Sequence, residues 1–493
     1  MKYILSVLFF SFTNLCLLSQ DAKPKPIAVV ENHQLAINGD LFDINQKEYS
    51  KQKYYFIFKN NVNEITFLWQ DQSNFSINLT YLNSSFSSQT TKNIQSNNDE
   101  ILLAATTDST NYIYYLTYKE KHNLVEIFLR KIDFDGKIIL TKNFYSFANT
   151  TNIYKVYDNI CSMKSDGISI IALLARTMYK SSDGLNHQAG LSMIFDCKTL
   201  ELESFIENTT SHSFENYIML DSKRTFVGME LGDGYPRGIN LHKFKDKLHK
   251  SRVIYTYKTS HSTTSQHYTI YRPFPLYTEI SSPTKKYYKW SNDNSTYSSL
   301  GGIIEDEDGY FVFFTGAPSP TGKSLDNSRA SYEIDPQNIG FVKVERYFNV
   351  AEKNVNCVTE DVILSKGKVE EGGFYGFRGE WTPQRNVGVV WLTGYRDIKK
   401  ESVRKLKCIQ LLDGTIVLLW EKYKSNNYKE DFIGVYGVKL NLKGEKISPI
   451  TLISSKFKLP KTDELFFYNN KLIMLNGISS EKKLSITEIN FNK

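Results

Sequence analysis

The sequence predicts an all-β fold: seven four-stranded sheets standing around one axis, with six or eight sheets as the alternatives. Three observations predict it. Seven times the chain writes an apolar alternating run, a tight turn and a second apolar run. The turns carry Asn-Asn, Asp-Gly or short Asp-led polar stretches, and Asn-Asn and Asp-Gly supply the positive φ angles of two-residue hairpin turns. Tyrosine and phenylalanine number 32 and 31 among 493 residues, both suited to a half-buried pleated surface, and no stretch has the period of a long amphipathic helix.

Taken in order, the first unit spans about 50–95, with apolar runs at Tyr54 to Phe58, Ile65 to Trp69 and Ser76 to Leu82, and Asn60-Asn61 turning between the first two. The second spans 99–147, turning at Asp108 to Asn111 and again at Phe134-Asp135-Gly136-Lys137. The third (156–207) turns at Asp166-Gly167, the fourth (211–258) at Asp221 to Arg224, the fifth (298–365) at Asp308-Gly309 and the sixth (402–456) at Asp413-Gly414. Residues 462–491, turning at Asn469-Asn470, hold three strands only. The run Ile27 to Val30, or Gln34 to Ile37, can add the fourth strand and close the ring, which removes the open edges that invite aggregation.

Successive turns lie 48, 58, 55, 87, 105 and 56 residues apart. The two long intervals hold residues 259–297, with Pro273, Pro275 and Pro283, and residues 366–400, with Gly372-Gly373, Trp381 and Pro383. Both read as loop insertions in one domain over 21–493; caps over the channel or a degenerate eighth sheet are the other readings. A strand-only unit of this length, repeated in this way, resembles the β-propeller superfamily across nearly the whole mature chain. The WD dipeptide and the Asp-box of sialidases are absent, so the resemblance implies the fold and no activity.

The amino terminus has a charged start at Lys2, an apolar stretch from Tyr3 to Phe12 resuming at Leu15 to Leu18, and Lys23-Pro24-Lys25-Pro26 beyond it. This predicts a secretory signal over 1–20 and a secreted, extracellular, periplasmic or surface location, without membrane insertion after cleavage. In that compartment Cys161 and Cys197, predicted in the same unit, are the favoured disulfide, and four buried free thiols are the alternative. Asn74, Asn78, Asn83, Asn149, Asn208 and Asn294 start Asn-x-Ser/Thr sequences that would accept glycans in a eukaryotic pathway. A net charge of +7, spread over mostly single lysines, excludes a concentrated nucleic-acid face.

Phosphate loops, dinucleotide fingerprints, serine-nucleophile elbows and zinc spacings are missing, so no cofactor and no metal are expected. Glu305-Asp306-Glu307-Asp308-Gly309 lacks the closing acid of a calcium loop and reads as a charged turn. Chemistry concentrates in the fourth unit. Its entry is Ser211-His212-Ser213-Phe214, and its second-to-third loop is Gly232-Asp233-Gly234-Tyr235-Pro236-Arg237-Gly238. Propeller topology opens both on one face, where His212, Asp233, Tyr235 and Arg237 form the candidate ligand site; the alternative is a loop that Asp233 and Arg237 merely rigidify. His187 and Arg329 join them from the long loops of the third and fifth units. Arg237 suits a carboxylate or sulfate, while His212, Asp233 and Tyr235 are the candidates for acid–base work. The expectation is a propeller that binds an extracellular glycan or protein there. A polysaccharide lyase or glycosidase at the same face, and a structural part of an extracellular assembly, are the alternatives.

Overall fold

Asp and Asn side chains build the turns. Asp166 Oδ1 accepts the amides of Ile168 (2.8 Å) and Ser169 (2.7 Å), and Asp221 Oδ1 those of Lys223 (2.9 Å) and Thr225 (2.7 Å). Asn60, Asp108 and Asp413 cap the following amides in the same manner. Gly167 (φ 82°), Gly414 (φ 83°) and Asn469 (φ 48°) take the left-handed backbone expected of them. Gly309 does not take it. A side chain there would meet the Val344 carbonyl oxygen at 1.9 Å, so its glycine is explained by close strand approach instead.

The computed structural model describes residues 28–36, 55–60, 64–86, 89–95, 99–108, 111–121, 124–144, 155–180, 186–211, 213–232, 238–245, 248–256, 298–318, 336–347, 363–367, 373–375, 381–383, 388–426, 429–460, 465–469, 471–478 and 483–491. The amino-terminal strand is β1 (Val29–Ala36). Blade one is β2 (Tyr55–Lys59), β3 (Ile65–Gln70), β4 (Ile77–Leu82) and β5 (Gln89–Gln95). Blade two is β6 (Ile101–Thr107), β7 (Tyr112–Lys121), β8 (Leu124–Asp133) and β9 (Ile138–Phe144). Blade three is β10 (Lys155–Ser165), β11 (Ser169–Lys180), β12 (Asn186–Asp196) and β13 (Leu202–Ser211). Blade four is β14 (Ser213–Leu220), β15 (Phe226–Gly232), β16 (Gly238–Lys245) and β17 (Leu248–Thr256).

Blade five is β18 (Ser299–Glu305), β19 (Gly309–Gly316), β20 (Asn338–Glu345) and, beyond a separate hairpin of β21 (Gly373–Tyr375) and β22 (Trp381–Pro383), β23 (Val390–Trp391). Blade six is β24 (Ser402–Gln410), β25 (Ile416–Asn426), β26 (Lys429–Leu440) and β27 (Thr451–Ser454). Blade seven is β28 (Phe466–Tyr468), β29 (Lys471–Ile478), β30 (Lys483–Asn490) and β1, which pairs antiparallel with β30 from Val29 opposite Asn490 to Ala36 opposite Lys483. The fold is a seven-bladed β-propeller closed by its amino-terminal strand.

Burial explains why the second strands are apolar throughout. Every residue of β3, β15 and β19 is buried, because each blade is covered on both faces by its neighbours. Six apolar clusters fill the seven seams. One runs through blades one, two and three; the others lie between three and four, four and five, five and six, six and seven, and seven and one. Trp69 and Trp420 are core residues, as their strands predict, at 1% and 0% exposure. Trp391 is half-buried against Tyr255 and Phe314 at the seam of blades four and five. Among the described residues no helix is long and apolar enough to cross a membrane.

The expected disulfide is absent: Cys161, Cys197 and Cys408 are free thiols. Cys197 Sγ lies 3.2 Å from Ser165 Oγ at one end of β10, whereas Cys161 sits four residues earlier on that strand. At about 3.3 Å per residue this separates the two by roughly 13 Å, twice the reach of a disulfide. Burial also pushes the Cys197 thiol above its ordinary pKa, with Ser165 and Tyr114 opposing it, and pushes Cys408 up to about 12.

Two outcomes follow from this architecture. Deleting the chain through Ala36 exposes the β30 edge, and light scattering should report self-association together with a lower denaturant midpoint; a monomer of unchanged midpoint contradicts the closure. Alkylation of the denatured, unreduced chain should label Cys161, Cys197 and Cys408, and prior reduction should add no label at Cys161 or Cys197.

Candidate functional site

The strand ends that carry the candidate loops form one row across blade four. Ser213 is opposite Gly232, Gly232 opposite Gly238, and Gly238 opposite Thr256. The segment between Ser211 and Ser213 and the segment between Gly232 and Gly238 are therefore rooted at the same end of the blade. His212, Asp233, Tyr235, Arg237 and Arg329 themselves lie outside the described residues. His187 lies on β12, with its side chain outside them.

Next to these roots, in the seam between blades three and four, is a polar group that the sequence reading missed. Glu230 on β15 and His242 on β16 are both fully buried, with His242 Nε2 3.1 Å from Glu230 Oε2. Ser213 Oγ donates to Glu230 Oε1 (3.1 Å), and Thr210 Oγ1 lies 3.1 Å from His242 Nε2. On its other side His242 Nδ1 faces His249 Nε2 of β17 at 3.0 Å, and the His249 ring stacks on Phe244 at 4.8 Å. Gly190 of β12 makes the room: a methyl there would meet Thr209 Oγ1 at 2.3 Å and Glu230 Oε1 at 2.4 Å. The available signal was Glu230 itself, one carboxylate inside the apolar run Phe226 to Leu231.

Electrostatics sort the three groups. Burial alone would raise the Glu230 carboxyl, but the hydrogen bond and charge of His242 outweigh it and hold it below the usual carboxylate range. Burial, with His242 beside it, pushes the His249 imidazole down to about 3, against a smaller opposing pull from Glu230. Glu230 is thus a carboxylate and His249 a neutral ring near neutral pH.

Other seams carry buried polar ties of their own. Inside blade two Glu100 grips Arg130 through two bonds of 2.7 and 2.8 Å, and at the seam with blade one Gln70 accepts the Leu102 amide at 3.0 Å. Glu215 accepts the Leu300 amide and Glu421 the Leu459 amide, each at 2.7 Å. The acidic turn at Glu305 to Asp308 is neutralised by protein cations, Lys343 reaching Asp306 and Arg346 reaching Glu305, which accords with a charged hairpin. Glu31, His33 and Glu488 form a trio with metal-ligand chemistry, but the Lys471 ammonium already bonds Glu488 and lies 3.6 Å from Glu31. The sequon Asn78 is buried, its amide donating to Ser76, whereas Asn74 is exposed in its turn.

Gly190→Ala should drive a methyl into Glu230 and cost roughly 1–3 kcal/mol. Urea denaturation at neutral pH checks this, and an unchanged midpoint would mean the seam is looser than its distances say.

No protein-family model matches the sequence, and no curated protein is detectably similar to it. Solved structures share remote likeness in shape. An α-L-arabinofuranosidase from Lactobacillus brevis aligns at 9% identity and a TM-score of 0.29 over 71% of this chain and 92% of its own. A Synechocystis apocarotenoid oxygenase mutant aligns at 10% identity and 0.38 over 82% and 72%. A Dyadobacter fermentans protein of unknown function aligns at 11% identity and 0.35 over 94% and 99%. At such TM-scores these likenesses carry no argument, and the fold assignment rests on the strand order of the seven sheets.

Proposed function

We propose that this chain is a secreted β-propeller that binds an extracellular glycan or protein through the face formed by the long loops of blades three to five. The observation that carries the reading is the row Ser213, Gly232 and Gly238, which roots the His212 segment and the Asp233–Arg237 segment side by side. The connection from Gly316 to Asn338 carries Arg329 in sequence and follows a second strand, β19, that matches β15 in position, whereas the one after β11 spans only 181–185 and His187 lies on β12. Arg237 supplies a fork for a carboxylate or sulfate, Asp233 an acceptor, and Tyr235 a ring with a donor at its tip. Glu230 and His242, buried below, hold the loop roots in place and do not touch the ligand.

The test uses residues 21–493, with and without Asp233→Ala, Tyr235→Ala and Arg237→Ala combined, on an array of acidic and neutral glycans and extracellular matrix proteins. Binding by the natural chain that falls at least about tenfold, roughly 1.4 kcal/mol, in a variant of unchanged melting supports the reading. Binding indifferent to the three substitutions refutes the site. New reducing ends or unsaturated uronate absorbance would replace binding by glycosidase or lyase activity, and a stable oligomer without any ligand would replace it by a structural role.

A further inference from the structure

We infer that Glu230, His242 and His249 of blade four form an acid-opened latch that reaches blade three through Thr210. This inference is independent of the ligand reading above. Its ground is geometric. Two imidazoles meet nitrogen to nitrogen at 3.0 Å, and between them there is room for one proton. The far nitrogen of His242 is committed to Glu230 and Thr210, both at 3.1 Å. Protonating both rings sets two N–H groups against each other and leaves two positive rings to a single carboxylate. The contact between His242 and His249 then breaks.

The groups around the latch can be named element by element. Glu230 faces it from β15, the Thr209 and Thr210 hydroxyls from β13, the Ser213 hydroxyl from β14, and Gly190 of β12 brings no side chain. Glu230 and His242 are the charges that act on His249. None of these groups offers a second anion for two charged rings, and Glu230 and His242 are fully buried.

The sign of the pH dependence follows. His249 is held at about 3 when closed and returns toward the ordinary 6.5 when the seam opens, so the open form takes up the proton more readily. The latch is therefore fully closed above about 6.5, and its opening constant rises by up to roughly tenfold per pH unit from there down toward 3. Glu230, also depressed, adds to the loss in the same direction at the acid end of that window. Because Ser213 bonds Glu230, opening reaches the roots of the loops on blade four.

Hydrogen–deuterium exchange of the full chain between pH 7 and pH 4, corrected for intrinsic rates, tests the latch. The β13 and β16–β17 segments should lose protection by at least about tenfold in the natural chain while β7 and β25 keep theirs. His249→Phe retains a ring against Phe244 and removes the titrating nitrogen, so its loss should shrink to within about threefold. Equal loss in both chains, or undiminished protection in the natural chain at pH 4, overturns the latch. Should His249→Phe fail to fold, histidine ring resonances of the natural chain decide. A His249 midpoint well below 5 sustains the inference, and one near 6.5 overturns it.

Discussion

The structure depends on one constraint: each blade must be covered on both faces at once. A second strand such as β19, buried at all eight positions, has no solvent side to give up, so an unpaired blade would expose a full apolar surface. Covering both faces of every blade is possible only if the last meets the first. That obligation falls on β1 and on the cluster that joins blades seven and one through Tyr55, Phe67, Ile473 and Ile486. Stability in such a ring is shared among its seams, each burying several side chains worth about 1.5–3 kcal/mol apiece.

The sequence foretold the ring well because its signals are local. A turn needs an acceptor or a left-handed residue at a fixed place, and Asp166-Gly167, Asp413-Gly414 and Asn469 declare themselves within a few residues. Long-range pairing leaves weaker traces. The outer strand of blade five, Val390–Trp391, comes from inside what reads as a loop insertion, where Val387 to Leu392 is strand-like in sequence but nothing local names β20 as its partner. The closing strand β1 was legible chiefly because blade seven lacked a fourth strand. The pairing of Cys161 with Cys197 failed because sharing a blade says nothing of position along it, and four residues of extended chain suffice to forbid the bond.

The candidate site was legible to a lesser degree, for a different reason. Loop chemistry such as Gly-Asp-Gly-Tyr-Pro-Arg-Gly stands out as composition, and the register of β14, β15 and β16 brings its roots beside the Ser211–Ser213 segment. Buried chemistry does not stand out. His242 and His249 lie on two strands of ordinary mixed composition, and nothing local says that their nitrogens meet. Strand pairing inside blade four brings them together with Glu230, and the seam adds Thr210 of blade three.

Look-alike blades raise a problem that apolar packing cannot solve. Seven sheets with similar Leu, Ile, Val and Phe faces would accept one another in shifted positions at little cost. The buried polar ties differ from seam to seam: Gln70 with the Leu102 amide, Lys131 with the Cys197 carbonyl, Glu230 beside Gly190, Glu215 with Leu300, Ser402 with Gln337, Glu421 with Leu459, and the Tyr55 hydroxyl with the Leu475 carbonyl. A hydrogen bond of this kind adds about 0.5–1.5 kcal/mol net, yet leaving one buried member alone costs roughly 1–3 kcal/mol. A blade seated against the wrong neighbour would strand such a member at each seam. The polar ties therefore select the arrangement that the apolar seams stabilise. The tie between blades three and four differs from these in being built on two imidazoles, and so it adds to that selection a response to acid.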